Sequence, residues 1–355
     1  MGMPNVNISF SEKAIQVIKR GDRGVVALIL KEASVPETNP ISILNVTDIP
    51  SSLSAYNQNQ IKLALLGYVN APKKVIAYVI SNGMPVDYTP ALNYFELNHF
   101  DYLAIPTVET DAKTGDIVTW VKTLRTEGNK VKAILPNTAG DHEGIINYAT
   151  AEVKNGSTTY TTEQYCSRIA GLIAGTSLTI SSTYAPLNEL TDCTRLKKAE
   201  MDTAIDAGKF IVFHDGEKVK VARGVNSLTT TNTEKGNQFK KIKIMEAMDM
   251  IFDDITKTAQ DSYLGKYLNS YDNKVLLMSA ISGYFEQLIL DGILSSASIG
   301  IDLEAQRSYL KSKGVATDEM SDDIIRVYDT DDKVYLKASI KILDAIEEIS
   351  LPINI

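Results

Sequence analysis

Three histidines, two cysteines and a scatter of acidic pairs are the residues with which this 355-residue chain could do chemistry. A metal site needs clustered ligands, yet His99, His142 and His214 stand isolated, with no HExxH run and no paired cysteines. Cys166 and Cys193 lack C-x-x-C spacing and are too few to frame so long a chain with disulfides, so both are expected as buried, reduced thiols. A phosphate cradle needs glycine N–H groups and a lysine; the Gly171, Gly175, Thr176 spacing lacks the lysine and falls inside a predicted helix. The run Gly175, Thr176, Ser177, Leu178, Thr179 fails the nucleophile-elbow pattern at its last position. Adjacent acids such as Glu347 and Glu348, or Asp253 and Asp254, point in different directions from any regular element and are expected to be solvated. No catalytic, cofactor-binding or metal residue is assigned, no cofactor is expected, and the chain does not read as an enzyme.

With 44% apolar and 23% charged residues the chain can bury a sizeable core. Acidic residues outnumber Lys and Arg by 44 to 36, a formal charge of -8, which disfavours direct contact with nucleic acid. No apolar run approaches the roughly 20 residues that span a bilayer. The opening MGMPNVNISF has neither a basic leader nor an apolar signal core. Synthesis and folding in a cytosol are expected, without direct membrane contact.

The elements fall into two patterns. Apolar runs at 24–30, 74–80, 101–106 and 130–136 alternate with amphipathic stretches at 57–66, 90–97 and 117–125, implying a mostly parallel, helix-covered sheet. Residues 160–176 read as a helix whose Ala170, Gly171, Ala174 and Gly175 permit close backbone approach. The Thr-rich stretch 227–238 has no hydrophobic periodicity, so a boundary is placed near 231. Residues 1–231 carry 22 Lys and Arg against 23 Asp and Glu, whereas 232–355 carry 14 against 21. This acidic last third reads as helices at 235–259, 276–290 and 303–313, the first with a core stripe of Phe239, Ile242, Met245, Met248 and Phe252. From 334 to 342 the alternation of Val334, Leu336, Ala338, Ile340 and Ile342 with polar residues predicts a half-buried strand.

Both ends are apolar and strand-like: Val6, Ile8 and Phe10 at the start, and Ile346, Ile349, Leu351, Ile353 and Ile355 at the finish, with Pro352 as a mark of an edge strand. Either each end adds to the chain's own sheet, or each completes a neighbour's sheet through main-chain hydrogen bonds. Two donors per chain would give a polymer.

At this point a family resemblance is legible. NVNISFSEKAIQVIKRGDRGVVALILKEA (5–33), HEGIINYAT (142–150), SRIAGLIAGT (167–176), ARGVNSLTT (222–230), EKGNQFKKIKI (234–244), NSYDNK (269–274) and AQRSYLKSKGV (305–315), with the terminal strand pair, resemble the short two-domain tail sheath proteins of contractile phage tails, phage-like particles and clostridial R-type bacteriocins. The resemblance covers nearly the whole chain and departs from the family at 34–60, 108–116 and 150–162. It implies an α+β chain: an outer α/β domain at 21–231, and an inner α+β polymerisation domain at 232–345. An N-terminal arm (1–20) and a C-terminal arm strand (346–355) complete that inner domain. It further implies stacked six-membered rings around a tail tube, contraction by lattice rearrangement, and partners comprising further copies, the tube, the baseplate and the tail terminator. The arms would dock beside the strand at 334–342. Lys235, Lys240, Lys241 and Lys243, or Arg307, Lys311 and Lys313, would present positive charge to the tube. Assembly is expected in the host bacterial cytoplasm, and the product in a virion tail or released bacteriocin particle. The alternative is a soluble α/β ligand-binding protein or enzyme without a recognisable site.

Overall fold

The computed structural model describes Ile18, Arg20, Gly21 and residues 23–355; the expected arm residues Val6, Ile8 and Phe10 lie outside the described residues. By packing, the chain divides into two units, Gly21–Met250 with Asp344–Ile355, and Ile251–Leu343 with the described part of the first twenty residues. The division therefore runs through a helix, whereas the sequence places a boundary near 231.

The first unit is built on the apolar runs. They form β1 (Val25–Glu32), β3 (Lys74–Ser81), β4 (Tyr102–Ala104) and β5 (Lys132–Pro136), with α1 (Ala55–Leu65), α2 (Thr89–Leu97) and α3 (Thr114–Thr126) between them; β2 (Ile41–Ile43), after β1, lies in none of the expected runs. Next come β6 (Ile145–Tyr148), the three-stranded antiparallel sheet of β7 (Glu152–Asn155), β8 (Thr158–Thr161) and β9 (Asp192–Cys193), and α4 (Thr162–Ala174). After α5 (Lys198–Asp206), β10 (Lys209–Phe210) rejoins the main sheet and β11 (Val212–His214) pairs with β12 (Val219–Val221). The main sheet has the order β10-β6-β5-β4-β1-β3-β2, parallel throughout except for β2.

Successive side chains of a strand point to opposite faces, and both faces here are covered. Val26, Leu28 and Leu30 enter one core with Ile61, Ala64, Ile169 and Leu172, while Val25, Ala27 and Ile29 enter the other with Ala91, Phe95, Ile117 and Val121. Each fully buried aliphatic side chain contributes about 1.5–3 kcal/mol. The small residues of α4 do allow close approach: a Cβ on Gly171 would stand 1.9 Å from the Ala64 carbonyl oxygen, and one on Gly175 2.0 Å from that of Asn70.

Downstream, α6 (Ile242–Thr258) begins seven residues later than periodicity suggests, because 237–240 form a separate 3-10 turn that follows Gly236. The expected stripe is also incomplete. Phe252 is exposed and Met248 half-buried, whereas Glu246 and Asp249 are buried. Their charges are matched inside the first unit. Arg125 grips Asp249 at 2.9 and 3.0 Å, Lys132 reaches Asp249 at 2.7 Å and Glu246 at 2.8 Å, and Arg23 pairs with Glu246. Burial alone would raise both carboxyl pKa values, but Lys132, with Arg125 or Arg23, holds them below the ordinary carboxylate range. Helical periodicity detects apolar positions only, so this face is invisible to it.

The second unit contains the rest of α6, α7 (Tyr271–Leu290), β13 (Leu294–Ile301), α8 (Leu303–Ser312), α9 (Asp322–Val327) and β14 (Leu336–Ile342), with β13 and β14 antiparallel. Asp254 of α6 is buried and accepts a 2.6 Å hydrogen bond from the Tyr284 hydroxyl of α7, not solvated as expected.

Two outcomes are expected in denaturation experiments. Gly171→Ala should cost about 1–3 kcal/mol, because α1 or α4 must shift. Asp249→Ala should cost about 3–5 kcal/mol, because it takes the bidentate partner from the buried Arg125 and one of two carboxylates from Lys132. Since both carboxyls are depressed in the folded state, their stabilisation is complete above the ordinary carboxylate pKa near 4 and disappears as the pH falls below it. The parent's acid destabilisation should therefore be shallower in Asp249→Ala.

Candidate functional site

No group of His, Cys, Asp and Glu among the described residues is arranged to hold a metal ion, and no described helix is long and apolar enough to cross a membrane. Cys166 and Cys193 are buried thiols, and burial pushes the Cys193 thiol up to about 11. What stands out is backbone and apolar surface near the C-terminus.

β13 and β14 form a sheet of two strands, in register from Ile301 opposite Leu336 to Leu294 opposite Ile342, with an irregularity near Ser296. By parity, Leu336, Ala338, Ile340 and Ile342 share a face with Ile301, Ile299, Ala297 and Leu294. Lys337, Ser339 and Lys341 share the other with Gly300, Ser298 and Ser296. The strand predicted from alternation is thus present, but it starts at Leu336 and excludes Val334. Its apolar side is half-buried only at its ends, Leu336 and Ile342, while Ala338 and Ile340 between them are exposed. The reason is that β14 has only one neighbour among the described residues. Two strands alone are a marginal sheet, and among the described residues no strand pairs with the N–H and C=O groups of either outer edge.

Beyond β14, residues 346–355 form no ladder with any described residue. Ile349 is 85% exposed, Leu351 75% and Ile353 76%, and Ile346 and Ile355 are likewise exposed. The sequence anticipates this apolar alternation. It does not anticipate the anchor at its root, since Glu347 reads there as half of a solvated acidic pair. Glu347 is instead largely covered: its carboxylate accepts hydrogen bonds from Ser181 Oγ at 3.0 Å, Thr183 Oγ1 at 2.6 Å and Arg223 Nε at 3.0 Å. Glu348 stays exposed, touched by Arg223 Nη2 at 3.1 Å. Asp344 pairs with Lys241. The root is clipped to the first unit and everything after Glu348 stands in solvent. A Ser-x-Thr run facing an Arg is the only hint, and it lies more than a hundred residues away in sequence.

The seven basic residues are divided between the two units. Lys235 pairs with Glu143 at 2.9 Å, Lys241 with Asp344, Lys240 is half-buried and Lys243 buried, all in the first unit. In the second, Arg307 pairs with Asp322 at 2.7 Å, Lys311 with Asp318 at 2.5 Å and Lys313 with Asp331 at 3.2 Å. The acidic stretch 318–332, which includes α9, thus answers the cations of α8 and Lys313 just after it.

Residues 84–227 match the model of the phage tail sheath protein central domain, and 234–355 that of the phage tail sheath C-terminal domain. A tail sheath protein of Clostridium phage phiCD119 is 36% identical, covering 99% of each chain. The sheath tail protein of Desulfitobacterium hafniense has a similar structure, with TM-score 0.70 and 20% identity over 84% of this chain and 94% of that one. The helical sheath of the anti-feeding prophage in its contracted state gives TM-score 0.72 at 14% identity, covering 100% of this chain and 99% of that one.

The clip can be tested by amide hydrogen exchange. Charge-assisted hydrogen bonds contribute about 1.5–3 kcal/mol each, so Glu347→Ala should speed exchange at residues 345–347 at least tenfold. Glu348→Ala should leave it within about twofold.

Proposed function

The chain belongs to the phage tail sheath family, and from that premise we propose that it is the structural subunit of a contractile sheath, polymerising around a tail tube and driving it through a target envelope. The observations that carry the assembly mode are the apolar row after Glu348, exposed and without a strand partner among the described residues, and, in the other unit, the sheet of only two described strands, β13 and β14. In the polymer, residues 349–355 leave their own subunit and extend a neighbour's two-stranded sheet, with Leu336, Ala338, Ile340 and Ile342 as acceptors. Val6, Ile8 and Phe10 supply a second lent strand.

Strand addition suits contacts that must survive contraction. Several backbone hydrogen bonds in a row, each about 0.5–1.5 kcal/mol net, are lost only together, and each aliphatic side chain buried at the joint adds about 1.5–3 kcal/mol. Contacts between rigid bodies can then be exchanged between an extended and a contracted lattice, and the better-packed lattice sets the direction. No nucleotide enters this scheme.

The partners proposed are further copies in six-fold rings, the tube, the baseplate and the tail terminator, with no direct contact to nucleic acid or membrane. Residues 21–231 face outward and 232–345 inward. Assembly takes place in the host cytoplasm, and the product belongs to a virion tail or a released bacteriocin particle. For grip on the tube, Lys311 and Lys313 are the better candidates, because their partners Asp318 and Asp331 are themselves exposed and exchange readily.

Purified full-length chain should form hollow cylinders in negative-stain electron microscopy. Chain ending at Glu348, with its clip intact, should remain dispersed; cylinders from that truncation would contradict the proposal.

A further inference from the structure

The lent-strand reading leaves open which way the tail runs, and hydrogen-bond parity answers it. In an antiparallel pair, every second opposed pair exchanges hydrogen bonds, while the pairs between turn their N–H and C=O groups to the outer edges. The ladder of β13 and β14 is bracketed by Asp302 N donating to Tyr335 O at 3.0 Å and Leu343 N donating to Ile293 O at 2.9 Å. With Ile301 opposite Leu336 and Ala297 opposite Ile340, the bonded pairs are Gly300 with Lys337, Ser298 with Ser339 and Ser296 with Lys341. Leu336, Ala338, Ile340 and Ile342 therefore turn their backbone groups to the open edge of β14. Those are the same residues whose side chains make the apolar face.

In the tail, Ile349, Leu351, Ile353 and Ile355 share one parity, and Ser350, Pro352 and Asn354 the other. Pro352 has no N–H, so a sheet can be continued on its side only with a missing donor. Suppose the tail's apolar side chains extend the apolar face of β14. If the tail runs antiparallel, Ile349, Leu351, Ile353 and Ile355 lie opposite the outward-facing residues of β14 and exchange hydrogen bonds with them, leaving Pro352 turned to the outside. If it runs parallel, a residue bonds to the two neighbours of the one it faces. Ser350, Pro352 and Asn354 would then have to serve β14, and Pro352 would leave one of its carbonyls unpaired. Such an orphan costs about 1–3 kcal/mol when buried.

Resting on the lent-strand reading, we propose that the tail of a second copy of this chain adds antiparallel to the open edge of β14, through the backbone groups of Ile349, Leu351, Ile353 and Ile355. Pro352 then caps the sheet on its outer side. The lengths agree: β14 spans seven residues and the exposed tail from Ile349 to Ile355 also seven. The four outward-facing residues of β14 match the four apolar residues of the tail. The capped edge has a purpose in a crowded lattice, because an uncapped added strand would be a template for further, unwanted pairing.

A proline scan separates the arrangements. Ser350→Pro and Asn354→Pro share the parity of Pro352 and should assemble within about twofold of the parent, measured as the fraction sedimenting as cylinders. Leu351→Pro and Ile353→Pro remove donors from the paired side and should lose assembly at least tenfold. Leu351→Ala and Ile353→Ala, which keep the N–H, should lose distinctly less than their proline counterparts. The reverse parity, or equal loss at all four proline positions, overturns the antiparallel arrangement while the truncation after Glu348 still fails to assemble. If that truncation assembles, the lent-strand reading itself falls.

Discussion

Backbone N–H and C=O groups must be paired or wet, and the C-terminal region of this chain leaves two complementary sets of them in water. Among the described residues, one set lines the outer edge of β14, and the other runs along a tail whose apolar side chains are exposed. Neither is a plausible end state for an aliphatic strand, and a second copy of the chain meets both needs at once. The proposed polymer thus follows from a local deficit in hydrogen bonding and burial rather than from a broad docking surface.

Around that deficit the rest of the chain supplies rigidity. The seven-stranded sheet is covered on both faces, and the α6 carboxylates are held within it by Arg23, Arg125 and Lys132. Buried ion pairs are weak sources of net stability but strict about position, because removing one partner strands the other. The Glu347 clip works on the same principle at smaller scale. It fixes where the tail departs and leaves its far part free, which is what a lent strand needs at its root.

How much of this is legible in the sequence depends on whether burial is apolar. β1, β3, β4 and β5 are readable because a parallel sheet covered twice is apolar on both faces, as VVALIL is. Gly171 and Gly175 are readable as a close approach, although their partners Ala64 and Asn70 are not. The alternation at 336–342 identifies a strand but overstates its burial in the middle, since β14 has one strand neighbour among the described residues. Asp254 and Glu347 are misread, and Asp249 goes unnoticed, for one reason: a carboxylate covered by a partner distant in sequence, whether the Tyr284 hydroxyl, Arg223 or Arg125, looks there like one in solvent. For Arg307, Lys311 and Lys313 the sequence shows the positive charge but not its pairing with Asp322, Asp318 and Asp331, which lie a little further along the chain.

The decisive measurement is a cryo-electron microscopy reconstruction of the assembled sheath at a resolution that traces the main chain through residues 349–355. The account predicts that this segment lies beside β14 of a different copy, runs antiparallel to it, and turns Pro352 away from the ladder. A tail paired within its own subunit, or running parallel to its acceptor, would contradict it.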